Sequence, residues 1–233
     1  MNIVITGGSK GMGKALVTKF ATNRNNIFIN SRNEEELATV AKEINDQNNA
    51  TVKYFAADLS KKTSSDQFSN WFIKANVVPD ILINNAGSFI SGNIYNEEEG
   101  VLEKMIATNL YSAYNLTRAL LPFMMKKKSG HIFNMCSVAS LAAYKNGGAY
   151  SISKYALMGF SKNLREELKP YNIKVTAVYP GAVYTASWDG SGINPSRIME
   201  VNDIAEMIYA ASLLSAQACV EDIIIRPLKG DLP

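Results

Sequence analysis

Two cysteines, one histidine and no run of like charge longer than Lys126 to Lys128 are all that 233 residues offer where several protein classes need far more. Cys136 and Cys219 are too few for a disulfide framework. Lys and Arg total 24 against 21 Asp and Glu, so the net charge is only +3 and the dense cationic surface of a dedicated nucleic-acid binder is missing. No stretch approaches the roughly 18 to 20 unbroken apolar residues of a membrane span, and no membrane partner is expected. Met1 leads directly into the strand-like Asn2-Ile3-Val4-Ile5 with no signal segment, which together with the scarce cysteine makes a reducing, cytoplasmic setting the expectation. Charged residues are 19%, below the usual roughly one quarter, and hydrophobic residues are 47%, a composition for a folded globule with a sizeable core and against disorder.

What is present is a series of short apolar runs: Ile3 to Ile5, Ile27 to Ile29, Val52 to Ala56, Ile81 to Ile83, Ile132 to Met135, Val175 to Tyr179 and Ile223 to Ile225. Runs of this length with helix-period stretches between them are strands buried on both faces. They imply an α/β fold: a doubly wound, parallel seven-stranded sheet in three α/β/α layers, formed by residues 1–233 as a single domain. One helix is expected from about Glu97 toward Met124, with Asn109 inside its apolar stripe, and another over Tyr150 to Lys169, stopped by Pro170. Two helices this apolar suggest a homodimer or homotetramer. Gly190, Gly192 and Pro195 break any pattern between Trp188 and Pro195, where a mobile loop is expected.

The first strand feeds into Thr6-Gly7-Gly8-Ser9-Lys10-Gly11-Met12-Gly13 and then a helix. Glycines there let an anion approach main-chain N–H groups at a helix N-terminus, so the expected ligand is a pyrophosphate. The spacing departs from G-x-G-x-x-G, and the cluster by itself is also compatible with a tight turn. At the end of the second strand stands Asn30-Ser31-Arg32. An acid there would bind the ribose hydroxyls of NAD, whereas a neutral residue followed by Arg32, with Lys10 in the loop, suits a 2′-phosphate and hence NADP(H).

With Asn84-Asn85-Ala86-Gly87 and Tyr150-Ser151-Ile152-Ser153-Lys154, these residues make the chain resemble the single-domain short-chain dehydrogenase/reductase family over nearly its whole length, which implies a Rossmann fold. The resemblance implies a cofactor site made by Gly7, Ser9, Lys10, Gly11, Met12, Gly13, Ser31, Arg32, Asp58, Leu59, Asn85, Ala86, Gly87, Tyr150, Lys154, Pro180, Gly181, Val183 and Thr185. Asp58 matches a carboxylate that meets the adenine ring, although beside Ser60 it is equally suited to capping a helix. No metal ligand set is expected.

The same resemblance assigns catalysis to Asn109, Ser137, Tyr150 and Lys154. Tyr150 and Lys154 share a helix face at i, i+4, and an ammonium beside a phenol is expected to lower the phenol's pKa and ready it for proton transfer. Ser137 would stabilise charge on the substrate oxygen. Asn109, costly to bury without a partner, would hold a water linking Lys154 to solvent. A Cys136–His131 mechanism is disfavoured because no base is evident near the cysteine. The expected activity is reversible, NADPH-dependent reduction of a small-molecule ketone or aldehyde. A 3-oxoacyl-[acyl-carrier-protein] reductase, an NAD-linked alcohol dehydrogenase and a non-catalytic nucleotide binder are the alternatives. Phe89, Tyr144, Trp188 and Met199 are candidates for an apolar substrate pocket.

Overall fold

The computed structural model describes residues 1–47, 50–188, 190 and 192–232. Among the described residues, each apolar run becomes a strand: β1 (Asn2–Thr6), β2 (Asn26–Ser31), β3 (Thr51–Ala56), β4 (Ile81–Asn84), β5 (Gly130–Met135), β6 (Ile173–Pro180) and β7 (Asp222–Ile225). The connections carry α1 (Gly11–Phe20), α2 (Glu34–Gln47), α3 (Lys62–Ile73), α4 (Val101–Ile106), α5 (Ser112–Lys127), α6 (Gly148–Leu168) and α7 (Val201–Ser212). All neighbouring strands are parallel, in the order β3-β2-β1-β4-β5-β6-β7. The chain therefore has the doubly wound, Rossmann-type α/β architecture.

Alternation along the strands divides the core between two faces. Ile3, Ile5, Ile27 and Ile29 pack with Leu16, Val17 and Phe20 of α1, Leu37 and Val40 of α2, and Ile204 and Ile208 of α7. Val4, Phe28, Leu82 and Ile132 point the other way, to Phe68 and Phe72 of α3, Leu116 and Leu120 of α5, and Leu164 and Leu168 of α6. Each such side chain contributes about 1.5–3 kcal/mol by leaving water. Burial on both faces is weakest at the sheet edges, where Tyr54 of β3 and Ile224 of β7 are 36% and 55% exposed. An edge strand has a neighbour on one side only, and its outer positions reach solvent.

The long helix expected from Glu97 differs in two ways. It begins at Val101, after Gly100 in a left-handed conformation, and it is interrupted: between α4 and α5 a wider π-type turn spans Ala107–Tyr111. An apolar stripe at period 3.6 cannot register one residue inserted into a turn. The insertion turns Asn109 toward Ser153 of α6. Of the loop expected between Trp188 and Pro195, Asp189 and Ser191 lie outside the described residues. The order of the sheet reverses at β1, whose neighbours are β2 and β4, so a ligand cleft opens beyond the carboxyl ends of β1 and β4.

Candidate active site

At that switch point, Thr6 ends β1 and its hydroxyl oxygen accepts the N–H groups of Asn85 and Ala86 at 3.0 and 2.9 Å. The Asn85 amide returns hydrogen bonds to the carbonyls of Thr6 and Gly7 at 2.9 and 3.2 Å. The glycine turn and the segment after β4 are thus one stitched unit. Within it Gly13 admits no side chain, because a Cβ there would lie 1.8 Å from the Gly7 carbonyl oxygen. Helix α1 opens inside the turn at Gly11, presenting its positive end to the cleft. Thr185 abuts the same turn, 3.2 Å from where a Gly11 Cβ would sit. Met12 packs partly against the first core, and Val183 is buried in it while its main chain bridges to Met199. Met199 is also buried in that core, which removes it from the expected substrate pocket.

The outer end of the cleft holds a carboxylate absent from the expected set. Glu36, in the first turn of α2, accepts the Ser9 hydroxyl at 2.8 Å and pairs with the Lys10 ammonium at 3.4 Å. The Ser9 hydrogen bond, followed by the Lys10 and Arg32 charges, holds its carboxyl below the usual range. Arg32 itself is exposed. Ser31 closes a short turn with Asn33, Asp58 accepts the Ser60 N–H and hydroxyl at 3.2 and 2.7 Å, and Leu59 is buried in the second core. These bonds close a turn ahead of α3, whose N-cap is Lys61 without a side-chain hydrogen bond, so Asp58 does not cap that helix.

The inner end assembles from β5, α6 and the π turn. Lys154 is 6% exposed and donates to the Met135 carbonyl at 2.7 Å, with its Nζ 5.8 Å from the centroid of the Tyr150 ring. Burial lowers its pKa to about 8. Tyr150 departs from expectation: burial raises the phenol's pKa, and the Ser137 hydroxyl only partly opposes it. Desolvation of the phenolate outweighs the nearby amine, whose own charge is destabilised by the same dry surroundings. Asn109 Oδ1 and Lys154 Nζ converge over Gly87, 3.0 and 3.5 Å from where a Cβ would lie. The Asn109 amide also accepts from the Ser88 N–H at 2.8 Å and donates to the Ser88 carbonyl and Ser153 hydroxyl at 3.0 and 2.9 Å. Phe89 stands edge-on to Tyr150, centroids 4.9 Å apart.

His131 and Cys136 form no dyad. The His131 Nε2 is 2.7 Å from the Thr176 hydroxyl, its ring stacks on Phe133, and burial takes its pKa to about 3. Burial pushes the Cys136 thiol up to about 11. Among the described residues no group of three His, Cys, Asp or Glu could hold a metal ion, and no helix is long and apolar enough to cross a membrane.

A family model described as short chain dehydrogenase matches residues 1–193. The chain belongs to the short-chain dehydrogenase/reductase family. It is 30% identical to a sepiapterin reductase of Chlorobaculum tepidum, over 99% of this chain and 97% of that protein. Its fold superposes with a TM-score of 0.84 on a metagenomic short-chain oxidoreductase in complex with NADP, 29% identical, covering 97% and 96% of the two chains. A 3-oxoacyl-[acyl-carrier protein] reductase with bound NAD from Brucella melitensis gives 0.85 at 25% identity, covering 96% and 88%. As a short-chain dehydrogenase/reductase it is an oxidoreductase acting on CH–OH donors, an enzyme rather than a nucleotide-binding scaffold.

Two carboxylates that shape this dehydrogenase site escaped the sequence reading. Besides Glu36, Glu97 accepts the Ala149 N–H at 2.8 Å, capping the helix that carries Tyr150 one residue further on. Gly92 and Gly148 both give it room, since a Cβ on either would come within 3 Å of the Glu97 side chain. The acidic run Glu97 to Glu99 was a visible signal, but its partner lies 52 residues away.

Proposed function

We propose that the chain is an NADP(H)-dependent reductase that converts a small-molecule ketone or aldehyde to the alcohol, reversibly, with residues 1–233 as one domain. The observation carrying this reading is the convergence over Gly87, where Asn109 Oδ1 and Lys154 Nζ meet beside Tyr150. The residues fit a dinucleotide: the glycine turn packs too closely for a side chain at Gly13, which brings the start of α1 to the cleft, and that helix end favours an anion there. Lys10 and Arg32 would take a 2′-phosphate, Asp58 and Leu59 would border the adenine, and Gly87, Pro180, Gly181, Val183 and Thr185 would flank the nicotinamide. When bound, the nicotinamide supplies or accepts hydride.

The protein's part is proton and charge management. A raised pKa keeps Tyr150 protonated near neutrality, the state needed to give a proton to a carbonyl oxygen. Ser137 donates a hydrogen bond to that oxygen and stabilises developing negative charge. Lys154 favours the phenolate left behind and would hold the nicotinamide ribose of a bound cofactor. Asn109 anchors a proton path from Lys154 toward solvent, and the buried Ser88 hydroxyl, without a protein partner, supports a water on it. Phe89 and Tyr144, 54% and 47% exposed, supply apolar walls beside Tyr150 for the substrate.

The reductase name of the Chlorobaculum relative and the NADP in the metagenomic neighbour favour this reading. The Brucella reductase keeps 3-oxoacyl thioesters on the substrate panel and NADH among the cofactors to be tried. A groove between α5 and α6, with Leu110, Tyr114, Leu121 and Phe160 on its walls and Arg118 and Glu167 among its lining, supports assembly as a homodimer or homotetramer. The scarcity of cysteine supports a cytoplasmic location.

Replacing Tyr150 by Phe tests the assignment. Turnover of ketones, aldehydes, quinones or 3-oxoacyl thioesters, followed as NADPH oxidation, should fall by about 10²- to 10⁴-fold while NADPH still quenches intrinsic fluorescence. Turnover equal to that of the unaltered protein would overturn it.

A further inference from the structure

Expecting NADP(H) rests on Ser31 being neutral and on the two cations Lys10 and Arg32, yet the folded chain brings a carboxylate back to the same place from five residues further along. Glu36 lies in the first turn of α2, with one carboxylate oxygen 2.8 Å from the Ser9 hydroxyl and the other 3.4 Å from the Lys10 ammonium. Ser9 is 8% exposed inside the glycine turn and donates its hydroxyl proton to Glu36, while the Lys10 side chain is 73% exposed. Arg32 is close enough to act on the same carboxyl. A 2′-phosphate placed on Lys10 and Arg32 would bring about −1.5 to −2 charges and seek the hydroxyl and ammonium that Glu36 already occupies. The Ser9 hydroxyl has one proton to give, so a phosphate that reached it would displace Glu36, and around the Lys10 ammonium the two anions would repel each other.

We infer that Glu36 sets the cofactor preference, competing with the 2′-phosphate of NADP(H) for Ser9 and Lys10 and offering the ribose 2′-hydroxyl of NAD(H) an acceptor. This rests on the proposed NADP(H) reading and refines it: the chain takes NADP(H) against a built-in counter-charge and so discriminates weakly against NAD(H). Glu36 stands half-exposed at a helix start, where the Asn33 side chain accepts its N–H at 3.1 Å and donates to its carboxylate at 3.4 Å, so the N–H contact would remain if the carboxylate moved aside. Glu36→Gln keeps the shape and the helix start while removing the charge.

The experiment titrates 2′,5′-ADP, 5′-AMP, NADPH and NADH into the unaltered protein and into Glu36→Gln by calorimetry at low salt. The preference for 2′,5′-ADP over 5′-AMP, and for NADPH over NADH, should rise about three- to tenfold in the variant, as expected for one surface charge facing a phosphate. High salt should narrow that gap, because the repulsion is screened. Equal preferences in both proteins, with 2′,5′-ADP favoured in each, would overturn the inference and leave the NADP(H) reading standing. A 2′-phosphate that improves binding in neither protein would overturn both. Loss of affinity for all four ligands in the variant would show Glu36 to be a prop for the glycine turn and would also overturn the inference.

Discussion

Lys154 and Lys10 stand at opposite ends of one cleft and carry the same side chain under opposite conditions. Lys154 is 6% exposed and its ammonium donates to a main-chain carbonyl, so burial takes its pKa to about 8. The Lys10 side chain is 73% exposed and its charge meets Glu36 in water. In the buried setting a charge interacts strongly but is costly to hold; in the exposed one it is cheap to hold and weak. On the proposed function the inner end would move a proton, whereas the outer end would choose between anions.

Replacing each lysine by methionine probes this contrast most directly. Lys154→Met should lower turnover by about 10²-fold or more, measured as NADPH oxidation with any accepted carbonyl. The same substitution should change the pH dependence of stability. Between about pH 8 and 10.5 the unfolded chain carries a proton on Lys154 that the folded chain has released, so the unaltered protein gains stability as pH rises through that window. Denaturation free energies of the two proteins should therefore converge or cross in favour of the unaltered one on going from pH 8 to 10; a constant difference would show that the amine is not desolvated.

A smaller effect is expected where the inner end is held by close contact. Gly148→Ala would place a Cβ 1.9 Å from Glu97 Oε1 and 2.6 Å from the Gly92 carbonyl oxygen at a φ of +27°. A loss of about 1–3 kcal/mol is expected from such overpacking, read by urea denaturation, with turnover reduced because the clamp beside Tyr150 opens. Smallest of all, Lys10→Met should alter stability by less than about 0.5 kcal/mol, since exposed ion pairs contribute little. Its effect should be confined to a loosened preference for 2′-phosphate ligands.

The same division marks how far the sequence could be read. Seven strands were legible because a parallel strand writes its burial into consecutive residues, and Gly7 to Gly13 because a tight turn before a helix demands glycine locally. Tyr150 and Lys154 were legible as neighbours because four residues make one helical turn. The edges at β3 and β7 were less so, since strand order is not written in any one strand. The π turn at Asn109 was invisible because one inserted residue leaves no mark on an apolar stripe, and the contacts of Asn109 with Ser88, Glu97 with Ala149 and Glu36 with Ser9 because they join residues 21 to 52 positions apart.

From sequence alone came the layered parallel sheet and the glycine turn, consequences of periodicity and local backbone constraint, while the residues expected to transfer protons came from the family resemblance. Only the tertiary structure decided which carboxylate meets Lys10, which groups satisfy Asn109, and that Tyr150 holds its proton more tightly than a free phenol. Those outcomes depend on distances between remote segments and on how much water packing removes, and neither quantity exists until the chain has folded.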